Sequence, residues 1–149
     1  KRLDAAREAI KVGLQLDSKN PGILAASAFL YFELGDLDQA EADTRQALMS
    51  NPELVYQWIL LARIQNLNGA YLDALHSLEQ AEAINPKLTI INNLKAQVLF
   101  NKGAYAEGLV LSQKVYTTPL PTPAEEDWTD LAESLLITLE NLNLLEEPV

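Results

Sequence analysis

The chain has 149 residues, of which 48% are hydrophobic and 21% charged, the balance of a folded chain about the size of one domain. Eleven basic against 21 acidic residues give a formal net charge of −10, which disfavours nucleic acid and anionic membrane surfaces as partners. The absence of cysteine and the single histidine exclude disulfides, a cysteine nucleophile and clusters of thiolate or histidine ligands, so we expect no metal and no cofactor.

The predicted elements are short helices that alternate with turns, beginning with residues 3–16 and 22–34. Both stretches place apolar residues three or four apart, which is the period of an amphipathic helix. Gly35 follows directly, and glycine ends a helix by adopting a left-handed conformation without steric cost. The next predicted helix, 37–50, ends at Asn51-Pro52, because the residue before a proline avoids helical dihedral angles.

The same succession returns with a period of 34 residues. Helices are predicted over 55–67 and 71–84, with Gly69 between them and Asn85-Pro86 after them, and Gly103 lies one period beyond Gly69. Small residues recur at the same period, where two helices must approach closely: Ala28, Ala62 and Ala96, then Ala40, Ala74 and Gly108. Such a period predicts helix-turn-helix units that stack and share one core.

These residues resemble the tetratricopeptide repeat, a unit of 34 residues marked by tryptophan, leucine, glycine, tyrosine, alanine and a closing proline. The middle unit is most similar and carries Trp58, Leu61-Ala62, Gly69, Tyr71, Ala74, Ala81 and Pro86. The first unit keeps Leu24, Ala28, Tyr31, Gly35, Ala40, Ala47 and Pro52, with Ser27 where leucine is usual. The third is degenerate, with Asn92 and Lys95 where tryptophan and leucine are expected.

The resemblance implies an all-α fold, a right-handed α-solenoid of about three and a half units. A half-unit over 1–20 precedes units 21–54, 55–88 and 89–122, and an acidic capping helix follows over 123–149. The helix of the half-unit leaves an apolar face without a predicted partner, whereas solenoids usually end in a polar cap. We therefore expect the chain to be a fragment of a longer protein with further repeats upstream.

No segment predicts insertion into a membrane. The longest apolar stretch, 23–34, is shorter than a bilayer span and contains Glu33. Residues 1–14 include acidic side chains and no small-residue cleavage site, unlike a signal peptide. The sequence assigns no compartment.

The acidity is concentrated in the C-terminal segment, where residues 115–149 hold eight acidic residues and no basic one. Thr122, Pro123 and Glu125 form a capping-box start for a helix. One face of that helix is apolar, which favours either a cap on the last repeat or a surface for a partner or a second copy, hence a possible homodimer. The residues of this face are Trp128, Leu131, Leu135, Leu139 and Leu142.

In this family the first helix of each unit lines a concave groove, so the resemblance implies a binding surface there. Spacings of three and four residues put aromatic, amide and charged side chains on that face. Amides can bond the backbone of an extended peptide, and aromatic groups can form side-chain pockets, although some of these residues could instead pack beneath neighbouring helices. The predicted groove residues are Phe29, Phe32, Glu33, Tyr56, Ile59, Arg63, Asn66, Asn93, Gln97, Phe100 and Asn101.

The predicted function is a non-enzymatic scaffold or adaptor that binds a protein or peptide partner. His76 lacks a triad-like setting of serine and acid, and no catalytic residue is predicted. Arg63 could hold a carboxylate or be neutralised by Glu33 across the units. Two alternatives stay open: a recognition domain of a larger enzyme or secretion or assembly machine, and a homo-oligomerisation module acting through the C-terminal helix.

Overall fold

The computed structural model describes residues 2–116, which form seven α-helices and no strand. They fall into two compact units, one ending at Asn85 and the other beginning at Pro86. The predicted C-terminal helix over 123–149, with Trp128 and its leucines, lies outside the described residues. The helices are α1 (Arg2–Leu16), α2 (Pro21–Glu33), α3 (Leu37–Ser50), α4 (Val55–Leu67), α5 (Tyr71–Ile84), α6 (Thr89–Lys102) and α7 (Tyr105–Tyr116).

Helix ends follow the local signals in the sequence. α2 begins at Pro21, one residue earlier than predicted, because the Asn20 side chain accepts hydrogen bonds from the next free backbone N–H groups and proline has none to satisfy. α2 ends at Glu33, and Gly35 then turns the chain with a φ of 80°. Gly69 and Gly103 do the same, with φ of 77° and 92°. The predicted helix-turn-helix units are confirmed in the described chain.

In the compact unit that ends at Asn85, α2 pairs with α3 and α4 pairs with α5. In addition, α3 packs on α4 and α1 packs on α2. Alanines lie where these helices approach closely. Ala28 and Ala40 are fully buried and share a cluster with Leu60 and Ile64. A methyl group at these positions lets two helix backbones come near each other, which explains the 34-residue recurrence of small residues.

Two buried polar pairs tie first helices to second helices. Ser27 Oγ donates to Asp43 Oδ2 at 2.5 Å between α2 and α3. Ser77 Oγ donates to Gln65 Oε1 at 2.7 Å between α5 and α4. Each pair satisfies polar atoms that would otherwise be costly to bury.

The compact unit that begins at Pro86 contains the degenerate third repeat, which still forms a hairpin of two helices. α6 and α7 pack together, and the rings of Phe100 and Tyr105 stack with centroids 6.4 Å apart. Gly108 stands at the position of Ala40 and Ala74. A Cβ there would lie 3.1 Å from the Phe100 ring and 3.2 Å from the backbone oxygen of Ala96, so the helices approach closely at this position. No helix in residues 2–116 is long and apolar enough to cross a membrane.

Candidate functional site

In the compact unit that ends at Asn85, part of the predicted groove surface is exposed. Phe29 and Glu33 lie on α2 and Tyr56 and Arg63 on α4, all of them exposed. Phe29 is 39% exposed and Tyr56 52%, which is high for aromatic side chains. The aromatic positions therefore remain accessible to a ligand.

Arg63 and Phe32 join the faces of these two helices. The guanidinium carbon of Arg63 lies 4.5 Å from the centroid of the Phe32 ring, a cation–π contact. Phe32 is half-buried and packs against the core cluster of Ala28 and Leu60, so its ring is a fixed platform for the cation. Within residues 2–116, Arg63 makes no ion pair with Glu33 or any other acid.

This contact leaves the edge of the guanidinium available. Stacking engages the face of the cation, whereas hydrogen bonds to a carboxylate use the N–H groups at its edge. Because Phe32 already orients the Arg63 side chain, less of its rotamer freedom is lost when a ligand binds. The first unit thus presents an oriented cation on a surface that also bears exposed aromatic rings.

Other predicted groove residues are buried. Ile59 is 5% exposed and belongs to the core between α4 and its neighbours. Asn66 is buried on the same helix, and Asn93 is buried on α6. These three side chains are therefore not available to a ligand at the surface.

In the second unit, α6 carries the remaining predicted residues. Gln97 and Asn101 are exposed and four residues apart, so they lie on one helix face. Phe100 is half-buried beneath Tyr105. Of the predicted groove residues on α6, the exposed ones are therefore the two amides, Gln97 and Asn101.

The histidine and acidic side chains of the described residues form no metal-binding cluster. His76 Nδ1 lies 3.7 Å from Glu79 Oε2, and both side chains are about two-thirds exposed. No group of three or more histidine, aspartate or glutamate side chains in residues 2–116 is placed to hold a metal ion. His76 thus has the environment of a surface residue.

The structure also contains a cleft between α1 and α2, and none of the residues that line it was predicted as a site residue. It has a volume of about 530 Å³. The sequence signal for it was the apolar face of the first helix, which has no predicted partner. The cleft is lined from α1 by Arg7, Glu8, Ile10, Lys11, Leu14 and Gln15, and from α2 by Ser27, Leu30 and Tyr31.

Known structures resemble this fold. The crystal structure of MamA superposes with a TM-score of 0.69 and 17% identity, covering 80% of this chain and 68% of that one. The pilF protein of Pseudomonas aeruginosa superposes with a TM-score of 0.66 and 16% identity, covering 94% and 68%. A tetratricopeptide repeat protein from Parabacteroides merdae gives 0.52 and 22%, covering 81% and 62%. At these identities the likeness shows the fold.

Among curated proteins, human protein O-mannosyl-transferase TMTC1 is 28% identical over 102 residues, which make up 64% of this chain and 11% of that protein. The chain therefore spans about a tenth of the length of this relative. Residues 1–64 match a family model described as a tetratricopeptide repeat. With its paired helices and 34-residue period, the described chain is similar to the tetratricopeptide repeat beyond the matched residues as well.

Proposed function

We propose that the chain is a non-enzymatic protein-binding module. Its compact unit ending at Asn85 binds a peptide segment that carries a carboxylate. The observation that carries this proposal is Arg63, a cation oriented by Phe32 and free of acidic partners in residues 2–116. Exposed Phe29 and Tyr56 supply apolar contact area on the same pair of helices. Tetratricopeptide repeats generally mediate protein–protein interaction, which is consistent with this use.

The chemistry favours a peptide over other ligands. A planar guanidinium recognises a carboxylate through two parallel hydrogen bonds, and aromatic rings bury large area at low entropic cost. The net charge of −10 opposes a polyanion such as nucleic acid, whereas one acidic side chain can be neutralised locally by one arginine. The partner is thus a peptide with a single acid close to an apolar side chain.

The test begins with selection of phage-displayed random dodecapeptides on residues 1–149. The enriched sequences are then synthesised, and their affinities are measured by fluorescence anisotropy. We expect an aspartate, a glutamate or a free C-terminal carboxylate in the enriched peptides, and a loss of about tenfold or more in affinity for Arg63→Glu.

The matched control is Arg45→Glu, which reverses an exposed arginine on α3 that is held by Glu41 at 2.6 Å. It changes the net charge by the same amount at another surface. Equal losses for the two variants would mean that only bulk charge matters. That outcome, or enriched peptides without an acid, overturns the proposed site.

Two other roles were predicted from the sequence. Recognition within a larger protein is supported by the curated relative, of which the matched segment forms 11%. An immunoblot that finds a native polypeptide of 16.5 kDa would rule this role out. Assembly through the C-terminal helix concerns residues beyond those described, and light scattering on residues 1–149 and on a truncation ending at Thr118 tests it.

A further inference from the structure

The exposed surface of α4 narrows to two side chains over the last nine residues of the helix. Within 59–67, Arg63 and Leu67 are exposed and the other seven residues are buried. Leu67 is 63% exposed, so most of its side chain is open to contact. Residues four apart share one face of a helix, and Leu67 therefore continues the surface on which Arg63 stacks over Phe32.

Negative charge surrounds the end of α4 at which Leu67 lies. Leu67 is the last residue of α4, and Glu33, one 34-residue period earlier, is the last residue of α2, which contacts α4. Glu33 is an exposed acid, and the C-terminal end of a helix carries a partial negative charge of its own. A ligand acid beside Leu67 would be repelled by both. The acid therefore lies at Arg63, and the ligand residue at Leu67 is apolar.

The width of this surface favours an extended ligand over a helical one. A ligand helix needs several apolar anchors spaced three, four and seven residues apart. The last nine residues of α4 offer one exposed aliphatic side chain, Leu67, because Ile59 and its buried neighbours do not reach the surface. An extended peptide needs less, since every second side chain already points to the same side.

The distance along α4 sets the spacing within such a peptide. Arg63 and Leu67 are about 6 Å apart along the helix axis, because an α-helix rises about 1.5 Å per residue. An extended peptide rises about 3.3 Å per residue, so two residues span about the same length. Two residues is also the separation at which its side chains point the same way. The acid and the apolar residue are therefore two positions apart.

We propose that Leu67 is a specificity-determining residue, which selects an apolar side chain two residues from the acid that Arg63 holds. The inference rests on the proposed function, because it assigns a second contact at the same surface. The partner is thus a protein segment that binds in extended form, with one acid, one residue of any kind and one apolar residue in succession.

Two displayed libraries of dodecapeptides provide the first test. One has aspartate fixed near the centre and the other has asparagine there, and all other positions are randomised. Both are selected on residues 1–149. We expect stronger enrichment from the aspartate library, with leucine, isoleucine, valine, methionine or phenylalanine dominating one of the two positions that lie two residues from the aspartate. The side on which they appear gives the chain direction of the bound peptide.

A pair of synthetic peptides, with leucine or alanine at the enriched position, then tests Leu67. By fluorescence anisotropy the leucine peptide should bind the unaltered chain about fivefold more tightly or better. In Leu67→Lys this ratio should fall to about one, and selection on that variant should favour a second acid at the same position. Circular dichroism verifies that the helix content is kept.

The matched control is Leu16→Lys. Leu16 is likewise the last residue of a helix and is 85% exposed, but it lies on α1, which makes no contact with α4 among the described helices. This variant should leave the ratio between the leucine and alanine peptides within about twofold of its original value.

The outcomes separate this inference from the proposed function. Enrichment of an acid without an apolar preference two residues away overturns the role of Leu67 and leaves the proposed function intact. An apolar preference four residues away does the same, because that is the spacing of a ligand helix. Equal loss of the preference in Leu67→Lys and Leu16→Lys also overturns the role of Leu67. If aspartate has no advantage over asparagine, the proposed function is wrong and this inference falls with it.

Discussion

Ser27 and Asp43 form a buried hydrogen bond of 2.5 Å between α2 and α3, and this pair explains why serine replaces the usual leucine in the first unit. Asp43 is 8% exposed, and its second oxygen accepts from Gln39 Nε2 at 2.8 Å. Leucine at position 27 could donate nothing to that carboxylate. The serine that departs from the family pattern thus has a second buried polar group as its partner.

Ser27→Ala removes the donor and leaves one oxygen of a buried carboxylate without it. We expect a loss of about 1–3 kcal/mol in the free energy of unfolding, measured by urea denaturation followed by circular dichroism. Ser18→Ala, in the exposed turn before α2, is the control and should change stability by less than about 0.5 kcal/mol. A coupling energy near zero in the double-mutant cycle with Asp43→Ala would contradict this account.

Two buried glutamines on α4 should respond in opposite ways to the same substitution. Gln57 is 3% exposed and its Oε1 has no hydrogen-bond partner among residues 2–116, whereas Gln65 Oε1 accepts from Ser77. Gln57→Met removes an unsatisfied carbonyl and should raise the free energy of unfolding by about 0.5–2 kcal/mol. Gln65→Met should lower it by about 1 kcal/mol, because Ser77 loses its acceptor.

The chain itself supports the first of these expectations. Ile23 and Ile91 stand one period before and after Gln57, so an apolar side chain is compatible with that position in the unit. Urea denaturation of both methionine variants provides the measurement. Destabilisation by Gln57→Met comparable to that by Gln65→Met would show that the buried carbonyl of Gln57 is satisfied.

Gly69 turns the chain between α4 and α5 with a φ of 77°, and a Cβ there would meet no atom within 4 Å. Its replacement therefore tests backbone conformation without a steric clash. Gly69→Ala should destabilise the protein by about 1–2 kcal/mol, the cost of a left-handed conformation for an alanine. Gly69→Asn should cost less, because asparagine tolerates that conformation better. Equal losses in thermal denaturation would point to another cause.

The sequence predicted the helices well because glycine, proline and the alanine period mark their ends and contacts directly. It predicted the exposed face less well. Ile59 and Asn66 follow the same spacing as Tyr56 and Arg63, but α4 touches α2, α3 and α5, which leaves a narrow exposed strip. Spacing defines a helix face, whereas the width of its exposed part depends on how many neighbours pack around that helix.

Charge patterns were similarly incomplete as a guide. Their opposite charges suggested that Glu33 could neutralise Arg63. In the structure, however, the guanidinium of Arg63 stacks on the ring of Phe32, the residue that precedes Glu33. Neighbouring residues on a helix point about 100° apart, so one position decides between an ion pair and a cation–π contact. That choice depends on how α2 and α4 are rotated against each other, which a single sequence does not specify.

The distinction between exposed and buried residues on α4 gives a prediction that tests the proposed binding surface directly. Tyr56→Ala removes an exposed ring and should weaken selected acidic peptides by about fivefold or more while the free energy of unfolding stays within about 0.5 kcal/mol. Ile59→Ala removes a buried side chain and should lower that free energy by about 2–5 kcal/mol. Where the variant is still folded, peptide affinity should hardly change. Anisotropy and urea denaturation on the same samples separate the two effects. Loss of affinity with Ile59→Ala at full helix content, together with unchanged binding by Tyr56→Ala, would place the ligand elsewhere on the unit.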